Sequence, residues 1–336
     1  MKWYTFLEVI SSMAMKEPPY TITNKMLQLS TLISELVGQL VITKSLSTNP
    51  MLRRTNRIRS IHASLAIEQN SLTLDQVTAV LSGKRVLAPS KDIKEVENAY
   101  EIYERLDQLD PFSVEDLLLA HRVMTKDLVK ECGVFRSGAV GVVDQNGQIL
   151  HFGSLPAYVP QLVTDLLEWT RNSDLPILIR SCIFHYEFEL IHPFADGNGR
   201  VGRLWQTLLL SRWNPLFSWL PVESIIHDRQ KEYYQAINRS NDMGESTVFI
   251  EFMLESIQSA LEEVAGGTDR TDTVNRARWD SIDSFLRMHE TIQNADVREL
   301  FGVSPATANR ILSGLCESGK LEKIRVGKSW GYKKRG

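Results

Sequence analysis

The residues best suited to chemistry lie in one short glycine-rich stretch, IHPFADGNGRVGR, which runs from Ile191 to Arg203. Helical patterns precede and follow it, and Pro193 should end the first helix just after His192. The loop and the first turn of the next helix then expose backbone N–H groups, and the positive end of that helix attracts anions. Arg200 and Arg203 add two cations one turn apart. The pattern predicts a phosphate-binding cradle.

Two further side chains in this stretch suit phosphoryl chemistry. His192, at the start of the loop, can take a proton from an incoming hydroxyl group. Asp196 is the acid beside the cradle, and a carboxylate in that position suits a Mg²⁺ ion that also binds phosphate oxygens. The residues that we expect to contact phosphate are Asp196, Gly197, Asn198, Gly199, Arg200, Val201, Gly202 and Arg203.

Two other interpretations of this region are less favoured. Residues 197–202 match the dinucleotide fingerprint G-x-G-x-x-G, with Glu223 further along the chain, but that fingerprint follows a buried strand and here a helix and a proline precede it. A metal site built from His185 and His192, with Glu189 between them, would need a motif such as HExxH, which is absent. A His185 bonded to Glu189 is more typical of a protein core.

The stretch HPFADGNGRVGR resembles the signature of Fic-domain proteins at every position of the motif. The usual activity of that family is protein adenylylation, in which AMP moves from ATP to a Ser, Thr or Tyr hydroxyl of a target protein. The resemblance implies that His192 is the general base, that Asp196 holds Mg²⁺, and that residues 197–203 hold the phosphates. It leaves open AMP removal and the transfer of phosphate or phosphocholine. It also leaves the target open, and the protein itself is one candidate.

A β-hairpin is predicted between Val134 and Phe152, where β-branched runs flank Asn146-Gly147. A lone hairpin cannot form a core sheet, so it should lie on the surface as a flap. In Fic proteins this flap docks the target segment as an added strand. The resemblance places His151, Phe152, Gly153 and Ser154 in the flap.

Residues 64–70, SLAIEQN, are similar to the inhibitory helix motif of Fic proteins, which has Ser or Thr, three residues, Glu, and then Gly or Asn. Gln69 stands where Gly is usual. Glu68 could pair with Arg203 and keep that arginine from the γ-phosphate, so we expect autoinhibition by Glu68, with Ser64 as the first residue of the motif. The alternative is a Glu68 that lies on a solvated helix face.

Tyr233 and Tyr234, with Asn241 seven residues further, resemble the family's adenine and ribose pocket. Two adjacent tyrosines of a helix cannot both face the core, so one could stack on adenine while the other packs. Without the family resemblance, such a pair is more often a packing feature.

The composition agrees with a globular protein: of 336 residues, 43% are hydrophobic and 24% are charged. No apolar run reaches the roughly 18 residues of a membrane span, and the N-terminus does not suit a signal peptide. The three widely spaced cysteines are typical of reduced thiols, so we expect a cytoplasmic protein with neither a zinc site nor a membrane partner.

Most of the chain has helical periodicity, and we predict an all-α fold. The similarity to bacterial Fic proteins with an N-terminal helical extension covers residues 18–261. We expect an N-terminal extension with the inhibitory helix over 1–95, a Fic core over 96–264, a Gly-Gly linker over 265–274, and a winged helix-turn-helix domain over 275–336.

The C-terminus differs in charge from the rest of the chain. Residues 319–336 carry seven Lys or Arg and one Glu, a net charge of +6, whereas the remaining residues sum to −9. Two helices, a third that Ser304 could cap, and a hairpin around Gly327 follow the winged helix-turn-helix order. Duplex DNA is therefore a candidate partner. The alternatives are a solvated tail, a docking module that includes formation of a homodimer, and a DNA-binding regulator whose Fic core is a nucleotide sensor.

Overall fold

The computed structural model describes residues 17–43, 49–143, 149–303, 305–326 and 329–335. The contacts divide the chain into two compact units, Met1–Val264 and Ala265–Gly336. Three expected features lie outside the described residues: the flap turn with Asn146-Gly147, the Ser304 cap, and the turn at Gly327.

The first unit is built from helices, which confirms the predicted all-α class. They are α1 (Asn24–Thr43), α2 (Pro50–Ile67), α3 (Leu74–Leu81), α4 (Ser90–Glu104), α5 (Val114–Met124), α6 (Val159–Asn172), α7 (Ile177–Ile191), α8 (Asn198–Trp213), α9 (Val222–Asp228), α10 (Gln230–Met243) and the first part of α11 (Thr247–Met288). Short 3₁₀ turns lie at Leu106–Gln108, Pro156–Tyr158 and Pro215–Trp219.

Helix α7 is a core helix because apolar residues cover most of its surface. Ile183, Phe184 and Phe188 are fully buried, as expected for a helix with an extended apolar surface. Helix α8 packs against α7 at close range, because a Cβ atom on Gly202 would lie 3.2 Å from Cδ1 of Phe188. The loop between these two helices is therefore held by the core itself.

Helix α2 is tied to the core through the carboxylate of Glu223, which lies on α9. The carboxylate accepts a hydrogen bond from Oγ of Ser60 at 2.9 Å and another from the hydroxyl of Tyr103 at 2.9 Å. Glu223 is buried, and a buried carboxylate is stable only where such donors satisfy it. These bonds fix the helix that ends at Ile67.

The predicted hairpin is confirmed as two antiparallel strands, β1 (Gly141–Val143) and β2 (Ile149–Phe152). Gly141 pairs with Phe152, and the register shifts between Val142 and Val143. Gly153 N–H donates to the carbonyl of Val140 at 3.1 Å and so continues the pairing beyond β2.

The second unit contains the end of α11, then α12 (Asn294–Phe301), α13 (Pro305–Glu317), β3 (Leu321–Val326) and β4 (Ser329–Lys334). The two strands pair antiparallel. The core consists of Ile282, Ile292, Val297, Ala308, Leu312, Leu321 and Tyr332. Ile292 and Tyr332 exchange backbone hydrogen bonds of 2.8 and 2.9 Å. This isolated antiparallel bridge places Ile292 beside β4.

The expected linker over 265–274 is helical, because this range lies inside α11. The boundary between the two units also falls within that helix. Each glycine of the Gly-Gly pair costs a helix only about 1 kcal/mol relative to Ala. No proline occurs between Thr247 and Pro305, so no residue type forces a break.

The cysteines Cys132, Cys182 and Cys316 are free thiols. Within the described residues, no helix combines the length and the apolar character needed to cross a membrane.

Candidate active site

The glycine-rich stretch forms a helix-loop-helix, as its sequence predicts. Helix α7 ends at Ile191, and His192 adopts a left-handed conformation with φ 52° and ψ 63°. Its N–H donates to the carbonyl of Phe188 at 3.0 Å. Gly197, with φ 88°, is the N-cap residue immediately before α8. A Cβ atom there would lie 2.9 Å from Cγ2 of Thr125, so both the backbone conformation and the space require glycine.

The side chain of Asn198 braces the loop. Its Nδ2 donates to the carbonyl of Phe194 and its Oδ1 accepts from the N–H of Phe194, both at 2.8 Å. An amide matches a peptide group in this way because it carries one donor and one acceptor side by side. The expectation that Asn198 contacts phosphate is therefore restricted to its backbone N–H.

His121 on α5 holds the loop in place, although no sequence motif indicates it as a site residue. Its ring stacks on Phe194 with centroids 3.7 Å apart. Nδ1 accepts from the N–H of Gly133 at 3.0 Å, so Nε2 carries the proton and donates to the carbonyl of Asp196 at 3.0 Å. Burial lowers the pKa of His121 to about 4, which keeps the ring neutral near pH 7.

Arg136 joins the flap to the loop, and no motif pointed to it. Its Nε donates to the carbonyl of His192 at 2.6 Å, and its Nη2 donates to the carbonyl of Ile191 at 3.3 Å. The same Nη2 also bonds the carbonyl of Ser154. A Cβ atom on Gly153 would lie 2.9 Å from this Nη2 and 3.2 Å from Cβ of His192. Gly153 and Ser154 thus lie against the backbone of His192. The side chains of the other two predicted flap residues, His151 and Phe152, lie outside the described part of the structure.

The imidazole of His192 is oriented by its own helix. Nδ1 lies 3.3 Å from the carbonyl oxygen of Glu189, one turn earlier. A carbonyl only accepts, so this contact assigns the proton to Nδ1. Nε2 is then the basic nitrogen, which is the protonation that a general base needs.

Both Nη atoms of Arg200 contact carboxylates of the protein. Its Nη1 lies 3.3 Å from Oε1 of Glu95, and its Nη2 donates to Oδ1 of Asp196 at 2.9 Å. The Arg200 side chain is buried, whereas the carboxylate of Asp196 is 50% exposed. Arg200 therefore orients Asp196.

Arg203 and Glu68 meet, although 135 residues separate them in sequence. Nη2 of Arg203 donates to Oε1 of Glu68 at 2.7 Å, while Nε donates to Oγ of Ser64 at 3.1 Å. Burial alone would lower the pKa of Arg203, but the charge of Glu68 and this hydrogen bond raise it. A Cβ atom on Gly199 would collide with Oε1 of Glu68. The carboxylate therefore occupies the N-terminal turn of α8, where the sequence predicts phosphate.

Residues 64–70 end in a left-handed turn although they have no glycine. Gln69 adopts a left-handed conformation with φ 67°, which costs a residue with a Cβ atom roughly 1–2 kcal/mol. Asn70 offsets this, since Nδ2 donates to Oε2 of Glu95 at 2.8 Å and Oδ1 accepts from the N–H of Leu72 at 3.1 Å. Asn70 and Arg200 thus share one carboxylate, Glu95.

The tyrosine pair consists of one core residue and one partly buried residue. Tyr233 is 2% exposed, and its hydroxyl lies 3.2 Å from Nε2 of His185. Tyr234 is only partly buried and is the member that could contact a base. Asn241 accepts from the hydroxyl of Tyr186 at 2.8 Å, so part of its hydrogen-bonding capacity is used within the protein.

Comparison with known proteins gives consistent matches. The sequence model of the Fic/DOC family matches residues 111–210. A Fic family protein of known crystal structure from Desulfovibrio desulfuricans G20 is 41% identical, and the match covers 96% of this chain and 99% of that one with a TM-score of 0.74. Protein adenylyltransferase fic-1 of Caenorhabditis elegans is 30% identical over 231 residues, which are 64% of this chain and 42% of that protein. The chain therefore spans less than half the length of this curated relative. A solved structure of C. elegans Fic-1 is 22% identical with a TM-score of 0.58, covers 74% of this chain and 72% of that one, and shares the fold.

Proposed function

The chain belongs to the Fic/DOC family, and on that premise we propose that it is a protein adenylyltransferase, which moves AMP from ATP to a Ser, Thr or Tyr hydroxyl of a target protein. The observation that carries the proposal is the orientation of His192, whose Nδ1 faces the carbonyl of Glu189, so that Nε2 is the basic nitrogen. The name of the C. elegans relative supports the same activity.

In the proposed reaction, Nε2 of His192 takes the proton of the target hydroxyl. The hydroxyl oxygen attacks the α-phosphorus of ATP in line, the bond to pyrophosphate breaks, and AMP becomes linked to the target. Backbone N–H groups over residues 197–199 stabilise the charge on the α-phosphate oxygens. The proton on His192 then passes to solvent or to the leaving pyrophosphate.

The residues fit a Mg²⁺ ion that accompanies the nucleotide. Asp196 presents a half-exposed carboxylate beside the cradle, and Arg200 holds one of its oxygens. The described part of the chain contains no cluster of three acidic, His or Cys side chains that could hold a metal. Mg²⁺ takes most of its ligands from phosphate and water, so one protein carboxylate is sufficient. When bound, the ion supplies positive charge for the phosphate oxygens. Asp196 is the residue that would hold it.

We propose that Glu68 autoinhibits the enzyme. Its carboxylate is 2.7 Å from Nη2 of Arg203 and lies against Gly199. A γ-phosphate needs both the guanidinium and that space. ATP can then bind with its triphosphate misplaced, but in-line attack requires that Glu68 leave. Tyr234 is proposed to contact adenine, with Asn241 on the ribose side.

The reaction is tested by incubating the protein and a Glu68→Gly variant with Mg²⁺ and ATP that carries ³²P at either the α or the γ position. AMP transfer labels protein from α-labelled ATP only, whereas phosphate transfer labels it from γ-labelled ATP only. The His192→Ala variant is the control. Absence of label from both nucleotides would refute transferase activity and favour AMP removal or a nucleotide sensor. Self-modification appears as label on the chain itself.

A second candidate function belongs to the C-terminal unit, which we propose to be a winged helix that binds duplex DNA. The observation that favours it is on the hairpin: the ring of Trp330, 51% exposed, lies 4.5 Å from Nζ of Lys323 and 5.0 Å from Cζ of Arg325. Cations beside an exposed aromatic ring suit a nucleic-acid surface. On α13, Arg310 is the basic group that could read a base, and Asn309 already accepts from Nδ2 of Asn294 at 2.7 Å. We therefore expect phosphate contacts with little sequence choice.

Two further points of the proposal concern the partner of the C-terminal unit and the cellular location of the protein. Docking of a protein, including a second copy of this chain as a homodimer, is the alternative use of the same unit. Light scattering of the purified protein tests the homodimer. The free thiols of Cys132, Cys182 and Cys316 support a cytoplasmic location.

A further inference from the structure

Glu189 lies beside the proposed general base, and the proposed mechanism does not use it. It precedes His192 by one turn of α7, and its Oε2 is 4.0 Å from Nδ1 of His192. On its other side, Oε1 would lie 2.9 Å from a Cβ atom on Gly202. The absence of a side chain at Gly202 therefore makes room for a carboxylate between His192 and the first turn of α8.

The carboxylate of Glu189 is poorly compensated. The side chain is 14% exposed, and among the described residues Oε1 has no hydrogen-bond partner and no contact with solvent. Burial raises the pKa of Glu189 to about 7, while Arg203 acts in the opposite direction and Glu68 in the same one. A carboxylate without donors is unfavourable in the interior, so a cation that forms next to it would be strongly attracted.

The other groups that face Glu189 cannot be that cation. Nε2 of His185 lies 3.9 Å from Oε1, but it accepts from the hydroxyl of Tyr233, while Nδ1 donates to Gln206 at 2.7 Å. This ring is neutral, and burial lowers its pKa to about 3. Arg203 is already paired with Glu68, which is itself an anion.

His192 differs from these groups because its charge changes in the proposed reaction. Nδ1 is the nitrogen nearest to Glu189, and Nε2 is the nitrogen that receives the target proton. Arg136 bonds the carbonyl of His192. An imidazolium at this position would therefore lie one turn from the carboxylate on its own helix.

We propose that Glu189 is a positioning residue that favours the Nδ1–H form of His192 and stabilises the imidazolium that forms when Nε2 accepts the hydroxyl proton. The proposal rests on the proposed function, since it assigns His192 the role of base. An opposite charge at 4–6 Å shifts a pKa by about 1–3 units. Glu189→Gln should therefore lower the pKa of His192 by about one unit or more.

The first test needs neither ATP nor a target. The protein is labelled with ¹³C-histidine, and the ring signal of His192 is assigned by its loss in His192→Ala and titrated by NMR in wild type and in Glu189→Gln. Glu187→Gln is the matched control, because Glu187 is two residues away on the same helix, its pKa is also raised to about 7 by burial, and its Oε1 is also unpartnered among the described residues. An unchanged pKa of His192 in Glu189→Gln, or an equal shift in Glu187→Gln, would overturn the proposal.

The second test follows the pH dependence of AMP transfer in the Glu68→Gly background. Glu189→Gln should move the acidic limb of kcat/KM to lower pH by about one unit and lower kcat by about tenfold, with KM for ATP within twofold. Glu189→Asp, which retains the charge, should recover part of both effects. A loss of kcat with no movement of the limb would indicate a structural role and refute the proposal. Absence of transfer in the parent would refute the proposed function, whereas the NMR titration would still decide the role of Glu189.

Discussion

Replacing Glu68 by Gly should activate the enzyme, because one carboxylate both holds Arg203 and covers Gly199. The bond from Nη2 of Arg203 to Oε1 of Glu68 measures 2.7 Å, and the arginine is 2% exposed while the glutamate is 35% exposed. A hydrogen bond between charged groups contributes about 1.5–3 kcal/mol. This range of free energies applies, and not the larger value for a fully buried ion pair, because water reaches Glu68.

The expected gain follows from competition between Glu68 and the γ-phosphate for one guanidinium. Since about 1.4 kcal/mol corresponds to a factor of ten, releasing Arg203 should raise the rate of AMP incorporation by roughly 10- to 150-fold. Glu68→Gln, which keeps the shape and loses the charge, should give an intermediate gain. The assay is initial-rate label transfer from α-³²P-ATP, with self-modification as the readout.

Two variants separate this mechanism from a general loosening of the end of α2. Gln69→Gly places glycine one residue later, at a position with φ 67° that glycine prefers, so it should leave the enzyme inhibited. Arg203→Ala in the Glu68→Gly background should remove the gain. If wild type and Glu68→Gly incorporate label at equal rates, Glu68 does not inhibit and the competition argument is wrong.

Three further outcomes are expected. His192→Ala should lower transfer by about 10²–10⁴-fold while the Kd for ATP stays nearly constant; a loss of about threefold or less would exclude His192 as the base. Asn198→Ala leaves the N–H and carbonyl of Phe194 unpaired and should lower the free energy of unfolding by about 1–3 kcal/mol in a denaturant titration; an unchanged value would mean that water replaces both bonds. Removal of residues 319–336 should abolish DNA binding measured by fluorescence anisotropy at about 50 mM salt; equal affinity of the truncated chain would contradict the winged-helix proposal.

Local features of the site followed from the sequence because neighbouring residues create them. Pro193 predicts where α7 ends, and the glycines predict a loop that leads into α8. The pairing of Glu68 with Arg203 is a long-range contact, and only the resemblance to a known motif could suggest it. Composition and periodicity do not predict a contact between two residues that are 135 positions apart in the sequence.

The residues that support the site were not predictable in this way. His121 and Arg136 donate hydrogen bonds to backbone carbonyls of the loop. Every residue has a backbone carbonyl, so the loop sequence does not indicate which side chains bond to it. Asn198 belongs to a polar type that suits phosphate, but folding turns its amide onto Phe194. The Gly-Gly pair suggested a linker because propensity is averaged over many proteins, whereas one uninterrupted helix runs through it here.

The contacts of Arg136 have a consequence for the proposed target specificity. One guanidinium bonds the carbonyl of His192, that of Ser154 at the base of the flap, and that of Gly138 before β1. Both ends of the hairpin are thus anchored to the same backbone that carries the base. Substitutions or length changes in the hairpin beyond these anchors would alter the proposed docking surface and leave the proposed base in place. Changes in the hairpin can therefore alter the proposed target specificity while the contacts that hold His192 stay the same.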